Sequence, residues 1–277
     1  MKNITSLVLA CALVFTFGCQ KDGQIASQAS LAIENMEDVV LVNDLMNEIF
    51  EDADLESIFP GGDLKSGSID CRKVTVEPND RTSWPKTITI DFGSDGCLVH
   101  DSIVKAGKII ITQSTPQRSE AWEKVVRYEN YSVNGNKIEG IHTIGFHIRS
   151  GHPVWTNTLA NGKITGTNGV ITTREANHTR VQMRGIDTPR DRMDDVFHIT
   201  GNTSGINRNG KTFSSVIKEA LVMHTGCRWI RKGVKEIILD GQSPAILDFG
   251  TGECDNTATL TQDGESKTIT LKGWRRK

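Results

Sequence analysis

The sequence has no apolar run long enough to cross a membrane as a helix. Its most apolar stretch, Ile4 to Gly18, spans 15 residues, whereas a helical span needs about 20. Lys2 precedes this stretch, and polar residues begin directly after Cys19. This order is typical of a secretory signal. We therefore expect residues 1–18 to form a signal peptide.

Cys19 stands at the expected cleavage point. The pair Gly18-Cys19 resembles the lipobox of bacterial lipoproteins, in which the cysteine thiol takes a diacylglyceryl group, although Thr16 stands where that motif usually has leucine. Two or three acyl chains anchor a protein stably, because each buried methylene contributes about 0.8 kcal/mol. The alternatives are a plain signal peptide with an incidental cysteine, or a cut before Cys11. We predict lipidation of Cys19, which makes the membrane one partner of the protein.

The segment Gln20 to Asp22 is similar to the short charged export signals of Bacteroidota lipoproteins that reach the outer leaflet of the outer membrane. This resemblance implies a lipid-anchored protein of the bacterial outer membrane that is exposed at the cell surface. The alternative is an anchored protein that faces the periplasm.

Lys and Arg are absent from residues 22–64, which contain eleven acidic residues. Residues 65–277 carry 30 basic and 23 acidic residues, a net charge of +7. Segments of opposite charge are expected to dock on each other or to separate two binding surfaces. No basic run is interleaved with aromatic residues, so we predict no nucleic-acid partner.

Motifs of catalysis are also missing. The sequence contains no G-x-S-x-G, no H-E-x-x-H and no glycine-rich phosphate loop. We therefore predict no catalytic residue, no cofactor and no enzyme activity. A glycosidase needs paired carboxylates, and four acidic residues are the candidates for such a pair, although each is more typical of a surface charge: Glu139, Asp187, Asp194 and Asp195.

Three tryptophans are candidates for a sugar-stacking platform, Trp155, Trp229 and Trp274. Each tryptophan alone is more typical of core packing, because its large ring buries much apolar area.

Metal-binding patterns are weak. His142, His147 and His152 are spaced by five, and an odd spacing sends alternate side chains to opposite faces of a strand. Four acidic residues near two cysteines lack the twelve-residue spacing of an EF-hand. They are Asp95, Asp101, Glu253 and Asp255. We predict no metal site.

Four cysteines remain after Cys11 and Cys19: Cys71, Cys97, Cys227 and Cys254. No C-x-x-C is present, which disfavours zinc, and an even number of cysteines in an oxidising compartment predicts two disulfides.

An internal repeat organises these cysteines. Residues 71–112 and 227–271 each begin with Cys-Arg and continue to a DFG tripeptide whose aspartate, Asp91 or Asp248, precedes the second cysteine by six residues. If each unit closes itself, the bonds are Cys71–Cys97 and Cys227–Cys254, and bonds between equivalent cysteines are the alternative. Because alternating apolar residues precede the DFG tripeptide and glycines follow it, we interpret it as the end of a strand.

Asn-Gly and Asp-Gly pairs recur between β-rich segments, at 134–135, 161–162, 168–169, 209–210, 240–241 and 263–264. Such pairs tolerate the positive φ angles of hairpin turns. Only seven prolines interrupt the chain. The pattern predicts a mainly β fold, a long antiparallel meander that forms a curved sheet, a sandwich or a partial barrel.

Residues 30–59 lack Gly and Pro and have apolar residues at helical spacing. We expect an acidic amphipathic helix there that packs on the sheet, with a partner-docking helix as the alternative. The predicted organisation is a signal peptide (1–18), a tether (19–29), this helix (30–59), a linker (60–70) and a β-domain (71–277). Two similar units, 71–112 and 227–271, flank a hairpin-rich middle, 113–226.

The segments WPKTITIDFG, ITGNTSGINRNGKTF and DFGTGECDN, together with the anchor cysteine, resemble a family of uncharacterised Bacteroidota lipoproteins. The resemblance implies the envelope location and the fold but no activity. Proteins of that phylum carry O-glycans at Asp-Ser/Thr-aliphatic sites, which makes Ser102 a candidate glycosylation site. We expect non-catalytic binding or scaffolding with an unknown glycan or protein ligand. The alternatives are a glycan-acting enzyme and a periplasmic carrier of lipid or lipoprotein.

Overall fold

The computed structural model describes residues 71–100, 103–117 and 119–271, which form one 14-stranded antiparallel sheet. The strands are β1 Lys73–Glu77, β2 Lys86–Asp91, β3 Cys97–His100, β4 Ile103–Gln113, β5 Ala121–Val133, β6 Asn136–Arg149, β7 His152–Thr165, β8 Ile171–Arg184, β9 Val196–Ile206, β10 Thr212–His224, β11 Ile230–Leu239, β12 Ala245–Thr251, β13 Thr257–Gln262 and β14 Glu265–Thr270. Each strand pairs with the next along the chain, except that β2 pairs with β4 and not with β3. Strand β3 pairs with β4 as well. The predicted antiparallel meander is confirmed.

Several predictions concern residues outside the described ones. These are the signal peptide, Cys19, the tether, the helix over 30–59, the linker, Asp101, Ser102 and Trp274. Within the described ranges no helix occurs, and so none there is long and apolar enough to cross a membrane.

The Asn-Gly and Asp-Gly pairs form hairpin turns with one exception. Asn134 and Gly135 have φ angles of 48° and 76° and connect β5 to β6. The pair Asn161-Gly162 lies inside β7, so the expectation of a hairpin there was wrong. Asn161 has a φ angle of 54° and lies where the register of the β7–β8 pairing shifts, between Leu159 and Gly162. The same dipeptide suits a hairpin turn and a bulge, because both require a positive φ angle.

A line of bulges crosses the long strands. Register shifts fall at Gly107 in β4, at Gly140 in β6 and at Gly233 in β11. These glycines have φ angles of 80°, 138° and 121°, which disfavour other residues. At Gly107 a Cβ atom would overlap the backbone of Asn130 on the neighbouring strand. Bulges bend strands and increase their local twist, so each of these glycines marks a bend in its strand.

One face of the sheet carries most of the buried side chains and is called here the inner face. In its central row Ile88, Ile111, Val126 and His142 stand opposite one another on β2, β4, β5 and β6. Each of the four is at most 4% exposed. Because side chains alternate along a strand, the residues next to these in sequence lie on the opposite, outer face.

The inner face carries an apolar cluster towards each end of the sheet, and a row of buried polar residues, Lys86, Gln113 and Lys124, crosses β2, β4 and β5 beside the first cluster. Near the first end Ile90 and Ile109 are completely buried, and near the other end Leu247 and Leu260 are buried in a second cluster. Full burial of such a side chain stabilises the fold by about 1.5 to 3 kcal/mol. Between these clusters His142, Arg174, Thr203 and Ser215 are buried instead.

The two disulfides are Cys71–Cys97 and Cys227–Cys254. This connectivity confirms that each of the similar units closes itself.

The DFG tripeptides also have the same local structure in both units. The Asp91 carboxylate accepts a hydrogen bond from the Gly93 amide at 2.9 Å, and Asp248 accepts one from Gly250 at 2.8 Å. Asp91 ends β2, which confirms the strand-end interpretation there, whereas β12 continues through Asp248, Phe249 and Gly250 to Thr251, so that interpretation was wrong for the second unit.

The likeness of the units stops after the second cysteine. Gly107 lies at a bulge inside the eleven-residue strand β4, whereas Gly264 lies in the tight hairpin between β13 and β14. Gly107 and Gly264 each follow the second cysteine of their unit by ten residues, but they occupy different positions in the structure.

Candidate functional site

A row of aromatic rings crosses the inner face on β5, β6 and β7. Trp122 stands opposite Phe146, and Phe146 stands opposite Trp155. Their ring centroids are 5.4 Å and 5.2 Å apart. Phe197 on β9 continues the row, with its ring 5.8 Å from Trp155 in an edge-on arrangement. We call these four residues the aromatic ladder.

Cations cover both ends of the aromatic ladder. Arg180 on β8 stands opposite Trp155, and its guanidinium carbon lies 4.7 Å from the Trp155 ring and 4.9 Å from the Phe197 ring. At the other end Lys124 Nζ lies 5.4 Å from the Trp122 ring. Cations at these distances are attracted to the negative face of the ring. The planar guanidinium also stacks on the rings, which a lysine at position 180 would not do.

Three of the four rings of the aromatic ladder remain partly accessible. Trp122, Phe146 and Trp155 are half-buried, whereas Phe197 is buried and Ile90 and Ile109 on β2 and β4 are completely buried. A half-buried aromatic row with donor groups at its side presents both apolar area and hydrogen-bonding capacity. It has the composition of a binding surface.

A second group of side chains lies beside the aromatic ladder on the same face. Asn157 and His178 stand opposite each other, each two residues from Trp155 and Arg180 respectively. Two residues along a strand correspond to about 7 Å. His178 belongs to a set of basic side chains that we call the basic cluster: His142, Arg174, His178 and Lys235.

The two histidines of the basic cluster are bonded to neutral partners. His142 Nε2 donates a hydrogen bond to Asn157 Oδ1, and His178 Nε2 lies 3.3 Å from Thr203 Oγ1. Burial lowers the pKa of His142 to about 4, partly offset by the Asn157 bond and reinforced by Arg174. The pKa of His178 is also lowered to about 4. Burial is the largest cause, and the charges of Lys235 and Arg174 lower it further. Both imidazoles are therefore neutral at pH 7.

The other two members of the basic cluster are charged at neutral pH. Arg174 is 5% exposed, and burial lowers its pKa to about 10. Burial lowers the pKa of Lys235 to about 8, with an added contribution from Arg174. Arg174 and Lys235 belong to β8 and β11, which are not neighbouring strands.

The structure does not bring the candidate carboxylates together. Glu139 is in register with Lys163, and Lys163 with Thr173 near the start of β8. Asp195 precedes β9 next to the end of β8, where Arg184 pairs with Val196. The eleven residues from 173 to 184 span about 36 Å of strand. Glu139 therefore cannot act with Asp195 in a glycosidase pair.

Glu139 is an ion-paired surface residue. Its carboxylate lies 2.9 Å from Lys137 Nζ and 3.1 Å from Lys163 Nζ. These two hydrogen-bonded lysines lower the pKa of Glu139.

The aspartates lie in the loop between β8 and β9. Asp195 accepts a hydrogen bond from Gln182 at 2.8 Å, and Asp194 accepts one from Thr188 at 2.6 Å. Partial burial and the neighbouring Asp194 raise the pKa of Asp195. Asp187 is exposed in the same loop. These contacts order the loop, and they place the aspartates together but away from Glu139.

The tryptophan platform takes a different form from the expected one. Trp155 is in the aromatic ladder, but its neighbours are Phe146 and Phe197. Trp229 lies against the guanidinium of its neighbour Arg228, 5.4 Å from the ring centroid.

The histidines of β6 and β7 lie on both faces. His142 is on the inner face, whereas His147 stands opposite Val154 on the outer face. His152 is held by a contact of 2.8 Å between its Nδ1 and the Gln182 carbonyl. His142 and His147 thus lie on opposite faces of β6, as their odd spacing predicts, whereas His152 begins β7 and lies on the same face as His147.

The acidic residues near the cysteines have local roles. Asp255 accepts hydrogen bonds from the Thr257 amide and hydroxyl at 2.8 Å and 2.7 Å, which lower its pKa. Asp95 and Glu253 are exposed. The described residues contain no group of three or more His, Cys, Asp or Glu side chains arranged to hold a metal ion.

Sequence reasoning missed most of this site. Of the aromatic ladder it singled out only Trp155, and of the basic cluster only His142. A usable signal was present in adjacent pairs of opposite charge, Arg174-Glu175 and Lys235-Glu236. On a strand such a pair sends its base to one face and its acid to the other.

Comparison of the chain with protein-family models, with curated proteins and with solved structures finds no match.

Proposed function

We propose that this protein is a non-catalytic binding protein of the bacterial cell envelope, anchored by lipid at Cys19 and exposed at the outer-membrane surface. The aromatic ladder is the observation that carries the binding function. The signal-like N-terminus supports the location, as does the resemblance to uncharacterised Bacteroidota lipoproteins.

A saccharide is the ligand class that suits the aromatic ladder best. The apolar C–H face of a sugar ring packs on aromatic rings through dispersion and the hydrophobic effect. The hydroxyl groups of the sugar need donors and acceptors, which Arg180 and Asn157 supply beside the rings. Centroid spacings of 5.4 Å and 5.2 Å across three strands offer a run of contacts along an oligosaccharide.

The charges near the aromatic ladder support binding over glycoside hydrolysis. Hydrolysis requires two carboxyl groups on either side of the bond that is cleaved. The cations Arg180 and Lys124 lie beside the aromatic ladder, and Asp195, which accepts a hydrogen bond from Gln182 opposite Phe197, is far from Glu139 along β8.

The test is a glycan-array screen with the complete chain in non-ionic detergent, followed by calorimetric titration of the best ligand. Trp155→Ala removes the central ring, and we expect it to weaken binding by roughly tenfold or more, since stacking on one aromatic ring contributes about 1 to 3 kcal/mol. Trp229→Ala is the matched control, because Trp229 lies outside the aromatic ladder, and we expect a change below about twofold.

The proposal is overturned if no glycan binds, or if Trp155→Ala binds as tightly as the parent chain while its melting curve shows that it is folded. Preferential binding of a single-stranded oligonucleotide in the same assay would also overturn the proposed ligand class.

A further inference from the structure

The central row of the inner face continues across ten neighbouring strands. The pairing register places one inward residue of each strand, from β2 to β12, opposite the next one. In order, the members of the central row are Ile88, Ile111, Val126, His142, Leu159, Ala176, Thr203, Ser215, Ile237 and Ala245. Apart from Ala176, each of them is at most 9% exposed. The central row is therefore buried over most of the width of the sheet.

This burial points to a second layer above the sheet. The described strands form one sheet, and their extensive contacts are with their neighbours in that sheet. Such neighbours lie beside an inward side chain, whereas the tip of the side chain is shielded only by another layer packed on the face. Ile111 and Val126 are nevertheless completely buried.

Small residues give the central row the shape of a groove on β8, β9 and β10. Ala176, Thr203 and Ser215 stand opposite one another there. Two residues to either side of Thr203 are Gly201 and Gly205, which have no side chain. Residues of this size allow another backbone to approach the strands closely. A groove that crosses the strands suits a helix that lies along the central row.

The helix predicted over residues 30–59 matches the central row in length. Nine gaps of about 4.8 Å separate its ten strands, so the row is roughly 43 Å long. A helix of 30 residues, at about 1.5 Å per residue, is about 45 Å long. Residues 30–59 lie outside the described ones, and the chain that follows them reaches the sheet at Cys71. Cys71 is bonded to Cys97 in the apolar cluster at the end of the sheet where the central row begins.

The charge of this segment is opposite to that of the inner face. Residues 30–59 contain nine acidic residues and no Lys, Arg or His. Among the described residues, the buried side chains include Lys and Arg but no Asp or Glu. Lys86 and Lys124 flank the central row on one side and Arg174 flanks it on the other, each two residues from a member of the row. Opposite charges favour the approach of two surfaces and fix their orientation.

We propose that residues 30–59 dock as a helix along the central row and form the second layer over the inner face. The apolar side of the helix packs in the groove, and its carboxylates lie towards the basic side chains on both flanks. The aromatic ladder stands four residues further along the strands, about 13 Å from the central row. Its half-buried rings Trp122, Phe146 and Trp155 therefore lie beyond the docked helix.

The test uses the complete chain with a protease site inserted after Gly62, in the predicted linker. After cleavage in non-ionic detergent, the N-terminal fragment should co-elute with the β-domain in size-exclusion chromatography, as one copy of each. Separate elution of the fragment would overturn the proposal. Elution of the β-domain as a dimer without the fragment would also overturn it, because a second copy would then cover the central row.

One pair of variants tests the docked side of the helix. Ile49 belongs to the apolar side, whereas Asn47 lies about 200° away around the helix. Ile49→Asp should lower the ratio of bound to free fragment by about tenfold or more, because it places a charge in an apolar contact. Asn47→Asp adds the same charge on the other side and should change this ratio by less than about twofold. Equal retention of both fragments would contradict the proposed orientation of the helix.

A second pair of variants tests the groove. Ser215 is a member of the central row, and its neighbour Ser214 lies on the outer face of β10. Ser215→Tyr fills the groove and should release the cleaved fragment, whereas Ser214→Tyr should retain it as the parent chain does. Melting curves establish that both variants are folded. Retention of the fragment by a folded Ser215→Tyr variant would overturn the central row as the docking site.

The docking of residues 30–59 is independent of the function proposed above. Trp155→Ala should retain the cleaved fragment as the parent chain does, because Trp155 lies outside the central row. Loss of saccharide binding in this variant with the fragment still bound would support both proposals. Release of the fragment by Trp155→Ala would contradict the position of the helix along the central row.

Discussion

Two regions of the same inner face differ in what they contain. On β2 and β4 four isoleucines, Ile88, Ile90, Ile109 and Ile111, pack together, with Ile90 and Ile109 completely buried, although Lys86, Lys105 and Gln113 are buried on the same strands. On β8 and β11 the inward positions include Arg174 and Lys235. Both regions obey the same alternation and the same antiparallel pairing. The difference indicates that the isoleucines supply stability, whereas the proposed binding function belongs to the aromatic ladder and the polar residues beside it.

The largest effect is expected from the apolar region. Ile109→Ala should lower the free energy of unfolding by about 2 to 5 kcal/mol, because it removes a fully buried side chain and leaves a cavity. Urea unfolding at neutral pH measures this loss. The saccharide affinity of the folded fraction should be unchanged, and a variant that remained as stable as the parent would contradict the assignment of this region as the core.

An intermediate effect is expected from the polar region on acidification. The pKa of His178 is about 4 in the folded protein and near 6.5 in the unfolded chain. The unfolded state therefore binds more protons between these values, so the contribution of His178 is fully present above pH 6.5 and is lost as the pH falls through 4. The loss is roughly 2 to 3 kcal/mol.

Replacement of the His178 imidazole separates its contribution to the free energy of unfolding from that of the carboxylates, which also titrate on acidification. The free energy of unfolding of His178→Gln should fall less steeply than that of the parent between pH 6.5 and 4, as measured by urea unfolding at several pH values. Identical slopes for the two proteins would show that His178 is not buried as a neutral ring.

The smallest effect is expected on the exposed surface. Lys211 Nζ lies 2.8 Å from the Asp240 carboxylate, with both side chains well exposed. Asp240→Asn preserves the tolerance of a positive φ in this turn and removes the ion pair. The free energy of unfolding should change by less than about 1 kcal/mol, with no change in ligand affinity. A larger loss would show that this ion pair contributes more than an exposed pair is expected to.

The fold was largely predictable because its signals are local. Asn134-Gly135 marks one hairpin, and the alternating residues before Asp91 mark one strand, each within a few residues. Asn161-Gly162 was misassigned because the distinction between a turn and a bulge depends on the neighbouring strand. The disulfides followed from the repeat, since equal spacing of Cys71–Cys97 and Cys227–Cys254 favours units that close themselves.

The candidate site was not predictable in the same way because its signals are not local. Trp122, Phe146 and Trp155 meet only through the pairing register of β5, β6 and β7. Arg174 and Lys235 come to the inner face from strands that are far apart in the chain, β8 and β11. A search for basic runs interleaved with aromatics fails here, because the bases and the rings share a face without sharing a segment.

The most direct test of the central claim is calorimetric titration of the best saccharide from the glycan screen into the complete chain and two variants. We predict that the parent chain binds, that Trp155→Ala weakens binding by about tenfold or more, and that Trp229→Ala changes it by less than about twofold. Absence of binding to the parent chain, or equal affinity in all three proteins, would contradict a binding site on the aromatic ladder.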